Sequence, residues 1–470
     1  MDLSTRRTLP WIVAIAFFMQ TLDATILNTA LPRMAADLQE SPLRMQSVVV
    51  AYLLTVALLI PASGWLADRF GTRRVFVAAI GLFTLGSLAC AMSPSLPLLV
   101  AARVLQGVGG ALLLPVGRLA ILRAFPRDDL LRALTFVTLP GLVGPLVGPT
   151  LGGWLVQVAS WHWIFLINLP VGLLGAVAAA RCMPELRGAS RQRFDARGFV
   201  LFGAGMVMLS LSLQGLGERA LDAAGALLLL CAGLACLAGY WLHAARTPAP
   251  LFGLQLFRMP TYSVGLLGNL FARLGSGAMP FLTPLLLQVG LGYSPAAAGM
   301  SMIPGALGAM LSKTFAERLI KRLGYRRVLV GNTLALAGLI ASFALVQRDS
   351  QPLQVLLQVS LFGIVNSLQF SAMNTLTLGS LDERSASSGN SLLSVVMQLS
   401  MSLGVAAAAA LLMAFGGPAQ APGSEGVLRS FQATYVCVGL MSAAAAFIFA
   451  QLRDDAGERR RAARPVGDGA

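Results

Sequence analysis

The stretch Gly64-Trp65-Leu66-Ala67-Asp68-Arg69-Phe70-Gly71-Thr72-Arg73-Arg74-Val75 has an echo 253 residues later, Glu317-Arg318-Leu319-Ile320-Lys321-Arg322-Leu323-Gly324-Tyr325-Arg326-Arg327-Val328. Leu, Arg, Gly, Arg, Arg and Val coincide between the two copies. Each copy sits between two long apolar runs, so each reads as a short basic loop joining two helices. A repeat at this spacing divides the chain into equivalent halves, which is what alternating access around a central site requires.

Outward from these loops, a membrane span needs about 20 apolar residues to cross roughly 30 Å of hydrocarbon. Such runs lie at about 10–31, 46–66, 75–92, 97–120, 133–156, 161–182, 197–215, 222–243, 262–288, 296–316, 328–346, 353–378, 388–413 and 430–451, which predicts fourteen transmembrane helices. Charge tests the count independently. With the N-terminus inside, 26 Lys and Arg residues fall in cytoplasmic segments, and the opposite side holds only Arg33, Arg44, Arg219, Arg348 and Arg429. That bias is the positive-inside pattern, and a helix lost or gained midway would scramble it. The expected fold class is an all-α polytopic membrane protein with both termini cytoplasmic. Its expected parts are an N-terminal six-helix bundle (1–185), an inserted hairpin of helices 7 and 8 (186–250), a C-terminal six-helix bundle (251–452) and a basic cytoplasmic tail (453–470).

Composition excludes the other broad classes. Of 470 residues, 56% are hydrophobic and 12% charged, against roughly 25% charged in soluble proteins. Disorder needs low hydrophobicity. The net charge of +15 sits in short gaps between apolar runs, with no nucleic-acid-binding module around it. Cys90, Cys182, Cys231, Cys236 and Cys437 lie in or beside apolar runs without metal-ligand spacing and read as small core hydrophobes. His162 and His243 are too few for a metal site. No nucleophile–base pair or ligand cluster supplies enzyme chemistry, so no cofactor is expected. The first apolar run carries Asp23 and lacks a small-residue cleavage pattern, so it reads as a retained helix and not as a leader.

Charges inside a span are costly unless hydrated or paired. Asp23 is the sole acid deep in any expected span. At 1.5 Å per residue it lies roughly 20 Å from the cytoplasmic start of helix 1. Arg103 lies roughly 9 Å from the outer start of antiparallel helix 4, at nearly the same depth of a core about 30 Å thick. The pair either holds two helices together or couples proton movement to conformation, because burial and a nearby Arg act oppositely on a carboxyl. Arg118, nearer the cytoplasmic end of helix 4, can snorkel. Arg273 sits mid-depth in helix 9 with no acid at comparable depth. Polar stripes at helical spacing run through Ser387, Ser391, Ser394, Gln398 and Ser402 in helix 13 and through Asn366, Phe370 and Asn374 in helix 12, while Gln20 neighbours Asp23. Such stripes line a cavity or glue helices. The candidate cavity set is Gln20, Asp23, Arg273, Asn366, Phe370, Asn374, Ser391, Ser394 and Gln398.

Helix 5 places Gly144, Gly148 and Gly152 on one face, which permits close backbone approach, and Pro145 and Pro149 should bend it. A packed bend is one reading and a rocking interface is the other. Asp68, Arg69 and Gly71 form a candidate latch at the cytoplasmic end of helix 2, and Lys321 replaces the acid in the second copy. The candidate gating set is Asp68, Arg69, Gly71, Arg118, Gly144, Gly148, Pro149 and Gly152.

Several of these segments carry a family resemblance. Gly64-x-Leu66-Ala67-Asp68-Arg69-x-Gly71 and Leu99-x-x-x-Arg103-x-x-Gln106-Gly107-x-Gly109 resemble motifs of the major facilitator superfamily. Gly144-x-x-x-Gly148-Pro149-x-x-Gly152-Gly153 resembles its antiporter motif. Leu22-Asp23-x-Thr25-Ile26-x-Asn28-x-Ala30-Leu31-Pro32 and Trp161-His162-Trp163-Ile164-Phe165-x-Ile167-Asn168-x-Pro170 are similar to the fourteen-helix drug:proton antiporters. The resemblance implies a major facilitator fold in the bacterial inner membrane and multidrug efflux by antiport. It also implies that Asp23 is the proton-coupling acid, Arg103 its partner and Asp68 the gating acid. Thr72 departs from a commonly basic position, which thins the cytoplasmic charge network, and no second deep acid is present. The expected function is proton-coupled export of small amphipathic compounds or drugs. The alternatives are export of an endogenous metabolite (an amino acid, organic acid or siderophore), whose anionic group Arg273 and Arg103 would suit, and a membrane sensor or scaffold. Expected partners are a small-molecule substrate, protons and lipids, with the chain acting as a monomer.

Overall fold

The computed structural model describes residues 3–188, 194–217, 222–381, 385–416 and 424–452. The tail 453–470, Arg191, Arg193, Arg219 and Arg384, and the side chains of Arg6, Arg7, Arg127 and Ser387, lie outside the described residues.

The long helices are α1 (Leu3–Ile26), α2 (Gln46–Phe70), α3 (Thr72–Ala91), α4 (Leu96–Ala124), α5 (Arg127–Val158), α6 (Asn168–Cys182), α7 (Ala196–Gly217), α8 (Ala223–Arg246), α9 (Pro260–Ser276), α10 (Ile303–Leu323), α11 (Tyr325–Ser342), α12 (Pro352–Gly379), α13 (Ala386–Gly416) and α14 (Glu425–Phe449). Among the described residues, twelve helical segments are long and apolar enough to cross a membrane. Helices α5 and α10 are not among them. The second half of α10 carries Lys313, Glu317, Arg318, Lys321 and Arg322, which lowers its mean hydropathy.

Both copies of the repeated loop fold alike. Helix α2 ends at Gly71 (φ +95°, ψ 148°) and α10 at Gly324 (φ +80°, ψ 157°), with their N–H groups closing on the carbonyls of Ala67 and Ile320. A side chain disfavours positive φ, so the repeated glycine is what turns each helix directly into the next. The packing repeats as well. In the first helix group α1 packs on α5 and α6, α2 on α4, and α3 on α4 and α6; in the second, α9 packs on α13 and α14, α10 on α12, and α11 on α12 and α14. Every pairing recurs with both labels advanced by eight.

The helix is interrupted within several expected spans, although Trp163–Cys182 and Pro260–Gly290 each remain long and apolar enough to cross a membrane. The run at 262–288 stops at Ser276, restarts as Met279–Leu285 and ends in a π turn at Leu286–Gly290. Gly277, Pro280 and Pro284 weaken the ladder there, since proline supplies no amide hydrogen. The run at 296–316 is split into Pro295–Met300 and α10, which continues to Leu323.

Helices α7 and α8 pack on each other, and α7 on α13. Only 17% of the apolar window of α8 is buried, against 67% for α2, so the hairpin lies at the periphery. Asp195 fastens its base. One carboxylate oxygen accepts from the Gly198 amide (2.9 Å) and lies 2.7 Å from His243 Nε2, and the other accepts from the Leu251 amide (3.1 Å). Burial alone would raise this carboxyl, but the Gly198 amide, the His243 imidazole and the Leu251 amide together hold it below its ordinary range. A depressed carboxyl stabilises the fold above its unfolded value, and that contribution is lost as pH falls through the folded value. Asp195→Asn is therefore expected to flatten the acid limb of a thermal-stability profile, leaving a smaller fall between about pH 5 and pH 3 than in the parent. Identical acid limbs in detergent melts would sink this assignment.

Candidate functional site

Four helices converge on one carboxylate. Arg103 Nη1 of α4 donates to Asp23 Oδ2 of α1 at 2.7 Å, and each side chain is 1% exposed. Gln106, nearly one turn along α4, donates from Nε2 to Asp23 Oδ1 (2.8 Å) and accepts from Arg103 Nη1 (2.6 Å). Asn168, the first residue of α6, donates from Nδ2 to the same Oδ1 (3.1 Å). Arg103 also donates from Nε to the Val48 carbonyl (3.3 Å). Its guanidinium carbon stands 4.2 Å from the Tyr52 ring centroid of α2 and 5.9 Å from that of Phe165. Three donors and no acceptor hydrogen-bond to Asp23, one of them to Oδ2 and two to Oδ1. Removing one partner of such a pair leaves an uncompensated buried charge, which is far more costly than losing a surface contact.

The matched depths of Asp23 and Arg103 thus correspond to a direct contact. The expectation that Asp23 lines an open cavity does not describe this state, because Arg103, Gln106 and Asn168 close around it inside the first helix group. Gln20 is partly buried beside it in sequence, with Oε1 unpartnered. Sequence reasoning passed over Gln106, Asn168, Ser87 and Tyr52 as site residues. Gln106 and Asn168 lay inside the quoted motifs, which was the available signal.

In the second group, Arg273 is 7% exposed. Its Nε donates to Asn269 Oδ1 (3.2 Å), its guanidinium carbon lies 4.2 Å from the Phe370 ring centroid, and its Nη2 has no partner. Asn374 Oδ1 is likewise buried without a partner, and Phe370 is 39% exposed. Asn366, Ser391, Ser394 and Gln398 are partly exposed, and Ser394 bonds back to the Asn390 carbonyl. The structure therefore joins Arg273 to Phe370, while Asp23 stays within the first group. A cavity of about 560 Å³ opens at the cytoplasmic margin between Trp11, Phe125, Arg132 and Phe136, and none of the candidate cavity residues lines it.

The gating candidates fall into three places. Asp68 pairs with Arg123 at the cytoplasmic end of α4, and Arg69 lies over Trp65 (5.8 Å). Among the described residues Arg118, part-way along α4, has no ion-pair partner. Gly71 abuts Glu185, which lies 3.6 Å from Arg73 and 3.7 Å from Arg74. Thr72 explains its own departure from a basic residue. It is fully buried, its hydroxyl donates to the Pro184 carbonyl (3.3 Å) and accepts from the Leu186 amide (3.2 Å), and its amide donates to the Leu186 carbonyl (3.0 Å). It clasps the segment that leaves the first helix group.

The glycine face of α5 meets α1, not the second helix group. Gly144, Gly148 and Gly152 abut Thr21, Thr25 and Thr29, and the hydroxyls of Thr25 and Thr29 donate to the carbonyls of Gly144 (3.3 Å) and Pro149 (3.2 Å). The two helix groups touch where α2 packs on α13 and at the outer end of α5. A Cβ at Gly153 would overlap the Pro295 carbonyl, and one at Gly299 the Pro149 carbonyl. Thr150 donates to the Gly299 carbonyl (3.3 Å), and Gln288 to the Thr29 carbonyl (3.0 Å).

No group of three or more His, Cys, Asp or Glu suited to a metal occurs among the described residues. Residues 13–405 and 265–468 match the Major Facilitator Superfamily profile. The chain is 53% identical over 461 residues to a protein of Serratia proteamaculans (strain 568) provisionally named multidrug resistance protein MdtD, covering 98% of this chain and 96% of the relative. The counterpart of that name in Yersinia enterocolitica is 52% identical, with 97% of each covered. In fold, the chain is similar to a POT family transporter in complex with a thioalcohol-conjugated peptide (TM-score 0.68, 14% identity, 94% of this chain and 95% of that one). It is also similar to a bacterial homologue of the human lysosomal transporter Spinster, captured inward-facing and unoccupied (TM-score 0.67, 15% identity, 96% and 97% covered). Its repeated helix groups, its apolar segments and the profile match over most of its length place the chain in the Major Facilitator Superfamily: it is a multi-pass secondary transporter of the inner membrane and not an enzyme.

Proposed function

We propose that the protein exports small amphipathic compounds in exchange for protons, with Asp23 carrying the proton and Arg103 its charge partner. The observation that carries this reading is the Asp23–Arg103 pair, both members 1% exposed, inside a transport fold. Protonation of Asp23 removes the charge that holds Arg103, and the freed guanidinium then bonds elsewhere. A change in pairing of this kind biases a two-state equilibrium. Each proton moving inward down the membrane potential contributes about 2.3 kcal/mol per 100 mV.

In this reading fourteen helices cross the membrane, α5 and α10 included. Support comes from the 32 residues of α5 and the 21 of α10 and from the alternation of basic loops. Residues 1–185 and 251–452 are the two rocking bundles, 186–250 the inserted hairpin and 453–470 the cytoplasmic tail, with both termini inside. One chain suffices, since each bundle supplies half of the path. The contacts between helix groups at Gly153 and Gly299 fall on the outer side, so cargo loads from the cytoplasm. Asp68 and Arg123 form the cytoplasmic latch. Gln20, Asn366, Phe370, Asn374, Ser391, Ser394 and Gln398 face the cargo when the bundles part.

Multidrug resistance is the role that the relatives' provisional name attaches to them, and it motivates the amphipathic cargo. Arg273 favours a second reading, export of an endogenous metabolite with an anionic group, because its Nη2 is buried without a partner. Proteoliposomes with an acid interior test both. Uptake of ethidium or of a carboxylated dye should build up with the gradient and collapse on adding nigericin. Gradient-independent uptake overturns proton coupling. A preference for the carboxylated dye that Arg273→Gln erases selects the second reading.

A further inference from the structure

We infer that Asn168, held in place by Ser87, is the positioning residue that keeps Asp23 ionised while the outer side is closed. The inference rests on the reading of Asp23 as the proton carrier. Ser87 Oγ donates to the Phe165 carbonyl (2.9 Å), so it turns only lone pairs towards Asn168. Asn168 Nδ2 gives one hydrogen to that oxygen and the other to Asp23 Oδ1, both at 3.1 Å. The orientation of an Asn amide is fixed by its hydrogen-bond partners, and here acceptors on both sides require the nitrogen. Asn168 is 2% exposed and Ser87 fully buried, so water does not supply an alternative donor or acceptor.

An amide locked this way offers Asp23 one N–H and no acceptor. A carboxyl O–H turned towards it would meet a donor head-on, so the lock opposes protonation. The lock joins three helices: Asp23 on α1, Ser87 on α3 and Asn168 at the first position of α6, with the Phe165 carbonyl just before α6 anchoring the serine. Rotation of the start of α6 against α3 would take the amide off the carboxylate and let the proton on. That gives the coupling a mechanical part that Arg103 alone does not supply. Among the described residues, Arg103 of α4, Tyr52 of α2 and Cys90 of α3 are titratable groups that act on this site. Helix α5 meets α1 through glycines. All of these persist when Asn168 or Ser87 is changed.

Infrared titration of the full chain in nanodiscs tests the inference without knowledge of the cargo. The C=O band of a protonated carboxyl that is missing from Asp23→Asn reports Asp23. Its midpoint is expected to rise by about one pH unit, a tenfold change in proton affinity, in both Asn168→Leu and Ser87→Ala. Ser87→Thr, which keeps the hydroxyl, should titrate as the parent does. A merely structural role for Asn168 would lower thermal stability and leave the midpoint in place. The same midpoint in the parent, Asn168→Leu and Ser87→Ala overturns the inference and spares the coupling assignment. The absence of an Asp23 band from all three overturns both.

Discussion

Arg103→Leu is expected to destabilise the protein by about 3–5 kcal/mol, the usual consequence of stranding one member of a buried ion pair. The change leaves the Asp23 carboxyl without its counter-ion at 1% exposure, with only Gln106 and Asn168 to bond it. Asp23→Asn alone strands the guanidinium. In the double variant neither charge remains, so much of the loss should return, giving a coupling term of about 2 kcal/mol or more between the sites. Thermal melts of the four proteins in one detergent measure the cycle. Additive losses would mean that the two side chains do not stabilise each other, and the charge-exchange account of transport would lose its basis. Gradient-driven uptake should be absent from both single variants, and recovery of stability in the double variant should not restore it. A pair that only tied helices together would restore both.

The second large effect is expected at the contact between the helix groups. A leucine at Gly299 would be driven into the Pro149 carbonyl, and one at Gly153 into the Pro295 carbonyl. Backbone cannot yield as a flexible side chain does, so each variant should disfavour the outer-closed state while leaving the opposite state intact. Transport should fall at least tenfold, which needs only about 1.4 kcal/mol of bias. Thr29, fully buried beside this contact, provides the reporter. A Thr29→Cys side chain should react slowly with a membrane-impermeant maleimide in the parent and many times faster in Gly299→Leu, with the unsubstituted chain as background. Equal labelling in the two backgrounds would show that Gly299 is not part of the seal. Ordinary melting of the Gly299 variant would separate the shift from misfolding.

Much of the architecture was legible in the sequence because helices announce themselves through hydrophobic length and through charge at their ends. The repeat placed Gly71 and Gly324 at equivalent positions, and both adopt a positive φ that few residues other than glycine accept. Depth was legible too, because rise per residue is fixed, and so Asp23 and Arg103 could be matched before any contact was known. Rotation about the helix axis was not. Nothing in the spacing said that Gly144, Gly148 and Gly152 would face Thr21, Thr25 and Thr29 of their own helix group and leave Gly153 and Gly299 to meet across the gap. Neutral polar residues gave little signal for the same reason. Gln106 and Asn168 are single positions without periodicity, and only their convergence in space makes them part of a site. The breaks at Gly277 and before α10 were missed because apolar runs read as continuous whether or not the backbone ladder is.

At its tightest points the outer seal is main chain on main chain, carbonyls of Pro149 and Pro295 seated on glycines, and the side chains of Thr150 and Gln288 that cross it also bond to backbone carbonyls. Peptide groups are common to every residue and carry no chemical preference among solutes, so this closure does not inspect what it has let pass. Discrimination must then reside in the residues deeper along the route. Those residues are free to diverge from one descendant to another, widening or narrowing the range of compounds handled, without any retuning of the door behind them.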